Sequence, residues 1–285
     1  MSKAITLVLG GMGVKGVASV GILQSLDKHN IKIKRIIASG ISGLVCGQYA
    51  MDKDLNLLSQ EFVNFFKENH RYLWGLEQLS GMFQSRRQRA VESFSYFLRE
   101  RLFCRTNFKS TSVLPWEVVE PQLCKFFNNE TFADLKIPLA ISAIDIKKDR
   151  PVLLDSGKLY ESMKASIAFP GLFPPMKIGD MELVSSTLYS ELPLENVLKK
   201  DAPVLVINNA SSVPRHDIRS LLEVIAITGD IRSIAIEQQL LKKADYVLQL
   251  KGMAHFRWGS YKQIPQMIAQ ARRETDVLLD SITLP

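Results

Sequence analysis

Short apolar runs alternate along this chain with longer stretches whose apolar residues recur every third or fourth position. Ile5–Leu9 reads as a buried parallel strand. Val17, Val20, Leu23 and Leu26 then mark one face of a helix over Val17–Lys28. Ile31–Ile37 is a second strand, and Leu44–Met51 opens a second helix. Strand, turn and helix, twice repeated, predict a parallel, doubly wound α/β sheet that offers ligands the C-terminal ends of its strands.

The pattern then changes. Residues 54–105 read as mainly helical, with Leu55, Leu58, Phe62, Phe65 and Phe66 in one wide stripe. Arg86–Arg105 mixes Phe94, Tyr96, Phe97, Leu98 and Leu102 with arginines. Such a segment either packs on the sheet with a charged outer face or lies on a membrane as a basic amphipathic helix. Further strands are expected at Ile137–Ile144, Pro151–Leu154, Leu183-Val184, Pro203–Asn208 and Tyr246–Lys251. Helices are expected at Lys158–Ser166, Ile218–Lys243 with a break near Gly229, and Gln263–Ile282.

Composition narrows the classes. The chain has 285 residues, 46% of them hydrophobic, and no proline- or serine-rich tract or repeat divides it. A single domain over residues 1–285 is expected. A net charge of +7 suits contact with an anionic membrane surface or acidic ligand, or simply a solvated basic surface, and does not call for nucleic acid. Cys46, Cys104 and Cys124 are odd in number and widely spaced, which argues for free thiols rather than a disulfide framework or a metal site. Met1-Ser2-Lys3-Ala4 enters a strand at once, without a secretory leader, and no apolar run is long enough to span a bilayer. The expected location is the cytoplasm, with peripheral membrane contact.

The chemistry concentrates in two glycine-rich turns. Ala38-Ser39-Gly40-Ile41-Ser42-Gly43 joins the second strand to the second helix, as a nucleophile elbow does. An elbow places small residues two before and two after its apex, and Ala38 and Ser42 meet that demand around residue 40. The apex itself is Gly40, which carries no nucleophile. Gly10-Gly11-Met12-Gly13-Val14-Lys15-Gly16 follows the first strand. Its backbone N–H groups at Gly11, Met12 and Gly13, with the Lys15 cation beside them, suit an oxyanion hole.

Together with Thr131–Leu139 and the proline-rich Ala165–Pro175, in this order, these segments resemble the patatin-like phospholipase family over nearly the whole chain. The resemblance is weakest over residues 52–130, a region that often forms a helical cap in that family. It implies a three-layer patatin-like α/β fold with a mainly parallel central sheet and helices on both faces. It also implies a serine–aspartate dyad. An ungapped match over Gly21–Ala50 puts the family's serine on Gly40. The match over Leu183–Leu194 puts its aspartate on Ser185, and the two small residues after it on Ser186 and Thr187. Both dyad positions are therefore substituted. The resemblance thus implies a lipid acyl hydrolase homologue, without cofactor or metal, that has lost its dyad and binds a lipid or fatty-acyl ligand or a protein partner.

Other readings compete. Gly40-Ile41-Ser42-Gly43 can be read as a shortened elbow with Ser42 as a displaced nucleophile of an active lipid esterase. That register breaks the family match and puts Leu44 where close packing wants glycine. A serine nucleophile also needs a base. Ser185 cannot serve, which leaves Asp180, Glu182 and Glu191 nearby. His29, His70, His216 and His255 sit in no catalytic spacing, and His29 reads as a helix-end residue. Asp145 and Asp155 read as turn and capping residues. Gly11-x-Gly13-x-x-Gly16 also matches a dinucleotide fingerprint, but the second strand ends without the acidic residue that a ribose requires.

Overall fold

The computed structural model describes residues 4–11, 13–68, 111–112, 114–208, 221–256, 261–282 and 284. Met12, the Arg86–Arg105 segment, Cys104, His70 and His216 lie outside them, as does most of the expected cap.

An eight-stranded mixed sheet forms the centre. Its strands are β1 (Ile5–Leu9), β2 (Ile33–Ala38), β3 (Leu139–Asp145), β4 (Arg150–Leu154), β5 (Met176–Ile178), β6 (Met181–Ser185), β7 (Val204–Asn208) and β8 (Tyr246–Gln249). The order is β5-β6-β3-β2-β1-β7-β8, with β4 pairing β3. Five strands run parallel, from β3 through β2, β1 and β7 to β8, while β4, β5 and β6 are antiparallel additions. Every residue of β1 and of β7 is buried, as expected of central strands covered on both faces.

One face carries most of the helices: α1 (Ser19–Lys28), α2 (Gly40–Ala50), α3 (Leu55–Glu68), α4 (Glu120–Phe126), α5 (Leu159–Ile167) and α7 (Ile264–Asp280). The stripe Leu55, Leu58, Phe62, Phe65 and Phe66 is wholly buried on α3, and Phe62 stacks on Phe126 of α4 at 5.0 Å. A polar seam ties α1 to α7. Ser25 donates to Asp276 at 2.6 Å, Lys28 pairs with the same carboxylate at 2.9 Å, and His29 meets Asp280 at 3.1 Å. The second face is smaller. Val8, Ile37, Ala140, Val204 and Val206 are covered by Leu192, Leu194 and Val197 and by the end of α6 (Leu221–Leu240).

Several boundaries differ from expectation, each for a local reason. The second helix begins at Gly40, not Leu44, because the elbow turns straight from strand into helix. The first helix is entered through a 3-10 turn, Gly13–Ala18, that follows the glycine loop. No break occurs at Gly229; glycine lowers helix propensity by only about 1 kcal/mol. β8 stops at Gln249, where a 3-10 turn begins at Lys251. Strand β5 has no counterpart in the sequence pattern; it pairs β6 across a tight turn whose Gly179 has φ +56°.

Candidate functional site

Register along one edge of β3 builds the site. β2 pairs the first half of β3 and ends with Ala38 opposite Ile141. β6 runs down the second half of the same edge and ends with Ser185 opposite Ala143. The two strands thus meet nearly end to end. The turn leaving β2, Ser39-Gly40, and the turn leaving β6, Ser186–Leu188, emerge side by side. The chain after β1 joins them, because β1 is the parallel neighbour of β2 and ends with Leu9 beside Ala38. Three segments far apart in sequence, at 10–16, 39–43 and 185–191, therefore converge at the C-terminal ends of parallel strands.

Gly40 has the backbone of an elbow apex. Ser39 is extended, at φ −136°, and Gly40 turns to φ +60°, a region that L side chains rarely adopt. The space beside it is taken. A β-carbon placed on Gly40 would sit 2.5 Å from the Gly11 carbonyl oxygen and 2.9 Å from Cγ2 of Thr187. From the other side, buried Ser166 donates its hydroxyl to the Gly40 carbonyl at 2.9 Å. Ser166 belongs to the Ala165–Pro175 brace, which the sequence marks only as support; a serine just ahead of its prolines was the available signal.

Ser185 is buried, and its hydroxyl lies 3.1 Å from the Thr187 hydroxyl. Its backbone N–H donates to the Ala168 carbonyl at 2.9 Å, which joins the brace to the end of β6. Ser186 reaches the Ser142 carbonyl at 3.4 Å. Of the acidic candidates, the structure brings Glu191 here. Its carbonyl accepts from Ser39 Oγ at 2.7 Å and packs against Gly10. Asp180 sits at the far end of β6, in the hairpin turn. Lys15 is buried within electrostatic reach of Glu191; burial lowers its pKa, and the Glu191 carboxylate partly offsets that.

Ser42 is fully buried one turn into α2. Ser19 donates to its hydroxyl at 2.8 Å, and Ser42 donates in turn to the Gly16 carbonyl at 3.3 Å. Gly16 is pressed against the start of the helix, since a β-carbon there would lie 2.6 Å from the Ser42 nitrogen. His29 is taken up by the α1–α7 seam and His255 is exposed beside Phe256. Asp145 accepts from the backbone of Lys147 and of Glu182, as a turn residue would. Asp155 lies 3.6 Å from Arg35, which pairs more closely with Asp201, at 2.8 Å. Among the described residues no group of three His, Cys, Asp or Glu side chains converges on a metal site. Cys46 is a buried thiol whose pKa burial pushes far up, and Cys124 is an exposed one.

Comparison with known proteins finds relatives of this chain in sequence and in fold. The lysophospholipase NTE1 of Debaryomyces hansenii is 25% identical over 74% of the chain, and that of Meyerozyma guilliermondii 24% over the same share. The matched stretch is only 12% and 13% of those proteins, so the chain spans a small part of its curated relatives. Among solved structures, VipD from Legionella pneumophila shares the fold, with a TM-score of 0.52, 11% identity, and coverage of 98% of this chain and 67% of that one. Residues 7–198, running from β1 past the segment after β6, match the patatin-like phospholipase family over well more than half of the chain, and the protein belongs to that family.

Proposed function

We propose that this protein retains the patatin-like site but does not hydrolyse esters through a serine–aspartate dyad, and that it serves as a binding protein for a single-chain lipid, such as a fatty acid or lysophospholipid, or for an active partner. The observation that carries this reading is the closure around Gly40. Residue 40 has the backbone of the apex and no side chain, and the Gly11 carbonyl and the Thr187 methyl stand where a nucleophile would begin. No acyl-enzyme can form on a hydrogen. Ser185, at the aspartate position, is engaged with Thr187 and can take no proton at neutral pH. Gly11 turns its carbonyl toward the apex, and a carbonyl repels a developing oxyanion rather than stabilising it. The ligand class comes from the lipid hydrolase family and from relatives named lysophospholipases.

The alternative nucleophile, Ser42, finds little support. Its hydrogen-bond partners among the described residues are a hydroxyl and a carbonyl, not a base, and it has no exposure through which a substrate could reach it. The dinucleotide reading is also weak, because Gly11 and Gly16 pack against Ser42 and its helix instead of framing an open phosphate cradle.

The test is turnover of p-nitrophenyl esters and lysophospholipids, with labelling by a serine-directed fluorophosphonate. No labelling and no turnover above background are expected, while fatty acids or lysophospholipids raise the melting temperature. Robust turnover that Ser42→Ala abolishes, in a protein still folded by circular dichroism, would overturn the proposal.

A further inference from the structure

One segment without regular secondary structure closes the smaller face of the sheet. Residues 190–197 run from the turn after β6 across β1, β2 and β3, where Leu192, Leu194 and Val197 seat on Val8, Ile37 and Ala140. Polar ties are spread along its length. Ser39 Oγ donates to the Glu191 carbonyl at 2.7 Å, and that carbonyl fills the space where a β-carbon of residue 10 would stand. The Leu192 N–H donates to the Glu237 carboxyl of α6. Lys243 donates to the Leu194 and Glu195 carbonyls, at 3.1 and 2.6 Å. Ser142 of β3 donates to Glu195 Oε1 at 3.0 Å.

Two of these ties use carboxyl groups that lack a cation. Elsewhere Asp201 meets Arg35, Asp276 meets Lys28 and Glu120 meets Lys164. Glu195 and Glu237, both half-buried, make no ion pair among the described residues. Glu237 Oε1 accepts from Asn208 Nδ2 of β7 at 3.0 Å. Glu195 Oε2 is buried without a partner, and so is Nδ2 of the adjoining Asn196. A carboxylate held this way gives up water without full compensation. Burial accordingly raises the pKa of both groups. At Glu195 its own N–H, the Ser142 hydroxyl and the Lys243 charge pull the other way, and at Glu237 the Asn208 amide and the Leu192 N–H do. Among the described residues, Lys243 is the only charged side chain that acts on either.

We propose that residues 190–197 form a strap whose seating beside the site is coupled to proton uptake at Glu195 and Glu237, so that acid seats it and rising pH loosens it. Both carboxyls hold a proton more firmly under the seated strap than in water. Seating is therefore firmest below the ordinary glutamate value of 4.5 and weakens as the pH climbs through the raised values. Buried Leu192, Leu194 and Val197 hold the strap down in both states, and the two acids set how often it lifts. Lifting frees the Ser39 hydroxyl and the space beside Gly10, which opens the converging segments from this face. The strap responds to pH whatever the Gly40 site does; only the consequence for a bound lipid rests on the binding function proposed above.

The test is hydrogen exchange of the full chain, corrected for the intrinsic rate at each pH and read at the hydrogen-bonded amides of Leu192, Leu194 and Val197. Their protection in wild type should fall by about tenfold or more from about pH 5 to about pH 8. Glu195→Gln/Glu237→Gln keeps the shape of the protonated pair, so its protection should stay level. Its urea midpoint should match wild type at about pH 5 and exceed it at about pH 8, whereas a merely structural loss lowers it at both. Each single change should remove part of the fall, which keeps the comparison intact if the double variant does not fold. Lysophosphatidylcholine, whose charge is constant over this range, should bind wild type more tightly at the higher pH and the double variant equally at both. Level protection in wild type, the same fall in the glutamine variants, or a urea midpoint lowered at both pH values would overturn the proposal. The expected fall in protection without lipid binding at either pH would sustain the strap and overturn the binding function instead.

Discussion

Placing a side chain on Gly40 tests the central geometric claim, that residue 40 is the apex of a closed elbow. Two costs combine there, and the fold contains a control that separates them. The first is conformational: a non-glycine residue held at φ +60° costs about 1–2 kcal/mol. The second is steric: contacts of 2.5 Å to the Gly11 carbonyl and 2.9 Å to Thr187 Cγ2 force backbone and side chain apart, at about 1–3 kcal/mol for an overpacked site. Gly179 shares the first cost without the second. Its φ is +56° and nothing lies within 4 Å of a β-carbon built on it. Gly179→Ala should therefore lose about 1–2 kcal/mol and Gly40→Ala about 2–5 kcal/mol. For a domain whose total stability is about 5–15 kcal/mol, the larger loss lowers the melting temperature by roughly 5–15 °C. Urea titration followed by circular dichroism measures both. Thr187→Ala in the Gly40→Ala background should recover part of the loss, with a coupling of about 0.5–1.5 kcal/mol in the double-mutant cycle. A Gly40→Ala cost below about 0.5 kcal/mol, or no coupling to residue 187, would refute the reasoning and move the apex elsewhere.

Gly40→Ser with Ser185→Asp should remain nearly inactive against p-nitrophenyl esters, and adding Thr187→Gly should yield the larger gain, because Thr187 fills the approach to the apex; equal rates for the double and triple variants would clear Thr187 of that role. A second prediction concerns pH. His29 donates Nδ1–H to the Ser25 carbonyl at 2.8 Å, so its Nε2, 3.1 Å from Asp280, gains a hydrogen bond only when protonated, and its pKa is raised, chiefly by the Ser25 bond. That stabilisation is complete below the unfolded value of about 6.5 and is lost as the pH rises through the higher folded value. The stability gap between wild type and His29→Gln should widen from about pH 8 to about pH 6, and a constant gap would show that protonation is not involved.

The fold is legible because its signals are short-range. β1 is an apolar run buried throughout, β2 is buried over its last three residues, and the stripe on α3 is a clean helical period that the structure buries residue for residue. Strand β5 escapes the pattern because three residues are too few to show alternation, and its existence rests on pairing with β6 across a glycine turn. Gly229 misleads for the opposite reason: one unfavourable residue cannot outweigh a helix of twenty. The elbow sits between these cases. Its shape is readable from Ala38, Gly40 and Ser42, but the onset of the helix at Gly40 depends on a positive φ that local pattern does not carry.

The candidate site is legible in its membership and illegible in its orientation. Sequence reasoning brings residues 10–16, 40 and 185–187 into one site, and the register of β2 and β6 on β3 does bring them together. It also reads Gly11 as a donor of N–H groups. A one-letter string cannot say which backbone group faces the apex; the Gly11 carbonyl does, and it belongs to a different peptide unit from the Gly11 N–H. Thr187 illustrates the same limit from the side-chain direction. In the sequence it is a slightly large residue at a position where small ones are expected. In three dimensions its methyl group lies against the apex, so one extra carbon occupies the space that a catalytic hydroxyl would need. Residues 40 and 187 therefore have to be read as a packed pair: a glycine leaves room for the threonine methyl group, and a side chain at residue 40 would have to displace it.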